Sequence, residues 1–161
     1  MKNINGFTLV ELMVTVAVAA ILLAVAVPSL NSVYEMSRSS TAISNIQSAV
    51  VFARSQAISY GRKVSICSGS DSGCTGSWID GYVVVIEDNG DVLKKVQNLN
   101  SKDFIKASSS TITFNIDGML TTNNVISIHY CPSKKNSEYS KGITVSPSGK
   151  ISLITTSVNC N

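Results

Sequence analysis

From Phe7 to Val27 the chain carries one charged side chain, Glu11, in an otherwise apolar run. About 20 helical residues cross a bilayer, and this run has that length. Leu, Ala and Met favour helix. The many valines are tolerated in lipid, where every backbone group must pair within its own helix. The run is preceded by a short polar segment, Met1-Lys2-Asn3-Ile4-Asn5-Gly6, with a single cation. Most of the chain's hydrophobicity sits at this end. The remainder of the 161 residues is rich in Ser, Thr and Asn and suits one compact domain.

An apolar N-terminal run can be a secretory signal peptide, and Ala24-Val25-Ala26 has the small-x-small spacing of a cleavage site. Glu11 argues against a disposable leader. A carboxylate at mid-helix costs about 2.5–3.5 kcal/mol on insertion scales, and a discarded segment has no use for it. The pattern beyond Pro28 also continues as helix.

Gly6-Phe7-Thr8-Leu9-Val10-Glu11-Leu12 resembles the prepilin processing motif of type IV pilins and type II secretion pseudopilins. The resemblance implies a leader over residues 1–6, cut by prepilin peptidase between Gly6 and Phe7, with N-methylation of Phe7. It implies that the apolar helix is kept: residues 7–28 as a transmembrane and filament-core helix, 29–60 as an amphipathic helix, and 61–161 as a periplasmic β-rich domain. The chain would be a single-pass protein of the inner membrane, with other pilins or pseudopilins as partners. Glu11 would lie one helical turn from the new amine, and a neighbouring subunit's amine could neutralise it and set axial register. Pro28 falls where the family often bends its helix. Its missing donor fits either a simple kink or a point of local unwinding.

Beyond Pro28, Ile43, Ile46, Val50, Ala53 and Ala57 recur at helical spacing, with Arg38, Asn45, Gln47 and Arg54 off that stripe. The stripe is expected to pack on the β domain, the alternative being a surface for a partner helix. Helix should stop near Tyr60-Gly61. Short Val-, Ile- and Thr-rich segments then predict strands at 64–67, 82–86, 92–97, 111–116, 125–130, 142–145 and 150–154. Asn89-Gly90 predicts a type I′ hairpin turn, and Ser146-Pro147-Ser148-Gly149 another tight turn. One helix followed by strands is an α+β pattern, with an antiparallel sheet covering the helix stripe.

The four cysteines allow three disulfide pairings. Cys67–Cys74 would close a flexible Ser/Gly stretch, and Cys131–Cys160 would tie down the tail; these two pairs are expected. No Cys-x-x-Cys spacing occurs and His129 is the only histidine, so no metal site is expected. His129 has no evident triad, and no cofactor or enzymatic activity is implied.

Ala53-Arg54-Ser55-Gln56-Ala57-Ile58 and Gly61-Arg62-Lys63-Val64-Ser65-Ile66-Cys67 resemble the GspH/FimT group, as do Trp78, Gly81 and Phe114-Asn115-Ile116-Asp117-Gly118. That group implies a minor pilin that primes and caps a type IV pilus, or a minor pseudopilin of type II secretion. Trp78 and Phe114 are also expected as plain core. Some members bind DNA during transformation through a C-terminal Gly-Arg-x-Arg pattern. Here the counterpart is Gly149-Lys150-Ile151-Ser152, which keeps one cation. Lys134, Lys135, Lys141 and Lys150 remain as possible DNA contacts, although a net charge of +3 marks no strongly basic protein.

Overall fold

The computed structural model describes residues 8–69, 73–97, 99–156 and 158–161, with the side chain of Pro28 left aside. Its first helix, α1, runs without a break over Leu9–Tyr60, so at Pro28 the chain is not unwound. The chain forms two compact units, one reaching Tyr34 and the other Glu35–Asn161.

In the first unit α1 opens on a capping box. The Glu11 amide donates to Thr8 Oγ1 at 3.2 Å, and the Thr8 amide donates to a Glu11 carboxylate oxygen at 3.4 Å. Two amides that a helix start leaves orphaned are thus satisfied reciprocally. Leu12, Val16, Leu22, Leu23 and Val27 all expose more than half of their surface. This is the one described helix long and apolar enough to cross a membrane.

Within the second unit α1 ends in a Schellman motif. Gly61, at φ +59°, lets its own amide reach the Ile58 carbonyl and the Arg62 amide reach that of Ala57. Eight strands follow: β1 Val64–Ser68, β2 Tyr82–Ile86, β3 Val92–Val96, β4 Phe104–Ala107, β5 Thr111–Phe114, β6 Ile126–Cys131, β7 Lys141–Val145 and β8 Ile151–Leu153. They make two antiparallel sheets, ordered β3-β2-β1-β5 and β4-β6-β7-β8. The class is α+β, one long helix with antiparallel sheets, as the sequence implied.

Ile43, Ile46, Val50, Ala53 and Ala57 are all buried, so this stripe packs inward. Alanines at 49, 53 and 57 let the helix backbone approach the sheets closely. Ile66, Val84, Ile112 and Phe114 close the core from one sheet and Ile128, Tyr130, Ile143 and Val145 from the other. Each large side chain buried this way contributes about 1.5–3 kcal/mol. Trp78 is buried as well, its indole donating to the Ser109 carbonyl at 3.0 Å.

Three local expectations need correction. β5 stops at Phe114, not Ile116, because the Asn115 side-chain oxygen accepts the amides of Asp117 and Met119 and bends the chain, with Gly118 at φ +74°. The β2–β3 connection is not a two-residue type I′ turn: only Gly90 has positive φ there. Its amide donates back to the Ile86 carbonyl, and five residues, 87–91, connect the two strands. β4 has no counterpart among the expected strands. Only four residues long, it pairs with β6, placing Lys106 opposite His129.

Tyr82 gives a pH signature. It is 1% exposed, and among the described residues its hydroxyl has no hydrogen-bond partner. Burial pushes its pKa from 10.0 up to about 12. Above pH 10 the unfolded chain releases this proton while the folded one holds it. Stability is therefore intact below that pH and is lost between about 10 and 12. Tyr82→Phe is expected to abolish that alkaline decline without loss of stability at neutral pH, measured by urea unfolding across pH.

Candidate assembly site

The processing pair Gly6 and Phe7 lies outside the described residues. Glu11 lies inside them, at the start of α1, where the helix dipole favours an anion. Its carboxylate accepts the Thr8 amide, so it serves the helix start within its own chain. Thr8 completes that box and was legible as Ser/Thr-x-x-Glu spacing, although the sequence reading did not use it.

The cysteines pair as Cys67–Cys74 and Cys131–Cys160. Cys67 lies on β1 beside Val83 and Val85, and with Cys74 they form a small apolar cluster apart from the main core. The second bridge brings the tail to β6. There the His129 imidazole meets the Asn159 carbonyl at 2.9 Å, and Lys106 Nζ donates to the Asn161 backbone oxygen. His129 is thus occupied with the tail backbone. No cluster able to hold a metal ion occurs among the described residues.

The four lysines do not converge. Ser133, which accepts from Arg38 at 3.0 Å, carries Lys134 and Lys135 next in the chain. Lys135 Nζ stands 5.7 Å from the centre of the Phe104 ring. Lys141 donates to Ser40 Oγ at 2.6 Å. Lys150 instead follows Gly149, whose carbonyl is held by Arg54. Residues 38 and 54 of one helix are about 24 Å apart. The Gly149-Lys150 counterpart is therefore separated from the other three lysines.

Two arginines read as off the apolar stripe turn out to fasten α1 to the sheets. Arg54 Nε donates to Gly118 O at 2.9 Å and Nη1 to Gly149 O at 3.1 Å. Arg38 pairs with Asp103 at 3.0 Å, and the Asp103 side chain is fully buried. That carboxylate also accepts the Tyr130 hydroxyl and the Ser133 amide.

Comparison with known proteins joins these features. Residues 1–27 match the prokaryotic N-terminal methylation motif, and residues 42–149 match the type II transport protein GspH family. No curated protein sequence matches. Two solved structures of the type IV minor pilin FimU from Pseudomonas aeruginosa share the fold. One is 21% identical with a TM-score of 0.64, over 76% of this chain and 95% of that one. The other is 20% identical with a TM-score of 0.59, over 76% and 99%. With about two-thirds of its length inside the family model and the methylation motif in front, this chain belongs to the GspH family of pilin-like structural subunits, which are not enzymes.

Proposed function

We propose that this chain is a minor pilin that primes assembly of a type IV pilus and sits at its tip. The observation that carries the reading is the start of α1: a methylation motif, then a carboxylate one turn from the site where cleavage would create an amine. Prepilin peptidase would cut between Gly6 and Phe7, and Phe7 would be N-methylated. The apolar half of α1 would anchor the chain in the inner membrane, with the β domain in the periplasm, and later pack into the filament. Pro28 would give the rod a weak point where it leaves the bilayer, since it donates no helix hydrogen bond. The likeness of the fold to minor pilin FimU supports the pilus assignment.

The capping box makes a clean test available. Gln can close the box as Glu does, but it carries no charge. Glu11→Gln should therefore leave the helix start and membrane retention intact while removing the chain from sheared filaments. Normal incorporation would defeat the charge-pairing role.

A minor pseudopilin of type II secretion is the second reading, favoured by the family name that residues 42–149 match. Deleting the gene and scoring piliation, secretion and transformation separates the two. Loss of pili alone supports the tip role, and loss of secretion alone supports the pseudopilin. The separation of Lys150 from Lys134 and Lys135 weighs against a DNA receptor, which loss of DNA uptake with pili intact would restore.

A further inference from the structure

We propose that Lys102, Lys134, Lys135 and Lys141 form a basic face that holds the β domain against the anionic lipid headgroups of the bilayer carrying α1. The inference rests on the membrane-anchored reading above and adds a partner for the domain itself.

All four lysines gather at the first turns of α1 in the Glu35–Asn161 unit. Lys141 touches Ser40 directly. Lys134 and Lys135 follow Ser133, the residue bonded to Arg38. Lys102 adjoins Asp103, the ion-pair partner of Arg38. Lys102, Lys134 and Lys135 are exposed to solvent. Asp103, next to Lys102 in the chain, is neutralised by Arg38 and fully buried. Glu35 and Glu138 are the remaining acids of this region, so the cations outnumber them.

Chain length puts this face within reach of a bilayer. About eleven residues separate Val27, the end of the apolar run, from Arg38, so the chain itself tethers this face on a short lead to any bilayer that holds the run. Headgroups extend beyond the hydrocarbon core of a bilayer, and charges attract across about one Debye length at physiological salt. Juxtamembrane lysines near an anionic surface are attracted at this range. Held there, the domain would stay close to the bilayer until a filament neighbour competes for α1.

The full chain, reconstituted into vesicles of phosphatidylcholine alone or mixed with phosphatidylglycerol, tests this. A membrane-impermeant amine acetylating reagent is applied, and each lysine's modification is read by peptide mass spectrometry as a ratio to Lys150. Flotation with both vesicle types is expected. In phosphatidylglycerol vesicles the ratios for Lys102, Lys134 and Lys135 should fall several-fold and recover in high salt, while Lys63 and Lys95 stay unchanged. Flotation with equal ratios in both vesicle types would overturn the lipid-docking inference and leave the anchor standing. Protection by duplex DNA added to neutral vesicles, without protection by anionic lipid, would overturn it too. Failure to float would remove the anchor and the inference together.

Discussion

Asp103→Ala is expected to lower the stability of the β domain by about 3–5 kcal/mol, the usual cost of removing one partner from a buried ion pair. The carboxylate has no solvent exposure and serves three groups: Arg38 on α1, the Tyr130 hydroxyl on β6 and the Ser133 amide beyond it. Its loss takes the ion-pair partner from a guanidinium that is itself 18% exposed and keeps the neutral Ser133 hydroxyl as an acceptor. It also withdraws an acceptor from a tyrosine in the middle of the core. A domain has only about 5–15 kcal/mol in total, so this single change consumes a large share. Urea unfolding in detergent, followed by Trp78, the only tryptophan, reads the effect. Replacing the pair together, Arg38→Met with Asp103→Leu, should recover much of the loss, because no charge is then left unpaired. If Asp103→Ala costs less than about 1 kcal/mol, a typical neutral hydrogen bond, the ion pair is not a buried one in solution.

The apolar helix, its inward stripe and seven of the eight strands were legible because each follows a period the sequence displays. Ile43, Ile46 and Val50 repeat as a helix face must, and Val64 to Cys67 or Tyr82 to Ile86 are short β-branched runs between turn residues. β4 escaped because Phe-Ile-Lys-Ala has neither the length nor the β-branched content of a strand on its own. Pairing with β6 makes it one, and that is a tertiary fact. The same limit hid the roles of Arg38 and Arg54. A charged residue beside an apolar stripe reads as solvated unless the acceptors opposite are known. Here those acceptors are Asp103 and the carbonyls of Gly118 and Gly149, which lie 64 to 95 residues away in the chain. At the candidate assembly site the motif around Glu11 was plain. The dispersal of the lysines was not, because sequence proximity between Lys141 and Lys150 says nothing of which end of α1 each approaches.

Gly149→Ala and Gly90→Ala form a matched pair with different expected outcomes. Both glycines have nearly the same backbone, at φ +76° and +72°, so both substitutions incur the left-handed cost of roughly 1–2 kcal/mol. They differ in what a new methyl group meets. At Gly90 nothing lies within 4 Å, and the cost stops there. At Gly149 the methyl carbon would sit 2.3 Å from the Gly118 carbonyl oxygen and 2.8 Å from Arg54 Nε. That is the gap in which the Arg54–Gly118 hydrogen bond lies, at 2.9 Å. The turn is itself pinned, by the Gly149 amide to Ser146 and the Leu120 amide to Pro147, so it cannot simply step aside. Arg54 must then release at least one carbonyl, and a charged hydrogen bond contributes about 1.5–3 kcal/mol. Gly149→Ala should thus cost about 2.5–5 kcal/mol against about 1–2 for Gly90→Ala. With Gly149→Ala already in place, Arg54→Met should add little, since both changes break the same contact. Equal costs at the two glycines would mean that Arg54 does not hold this turn in solution. Full additivity of the Arg54 change would mean that its hydrogen bonds survive the added methyl. If the predicted inequality holds, α1 and the sheets packed on it are fastened at residue 54 by one guanidinium, with no room to spare beside it.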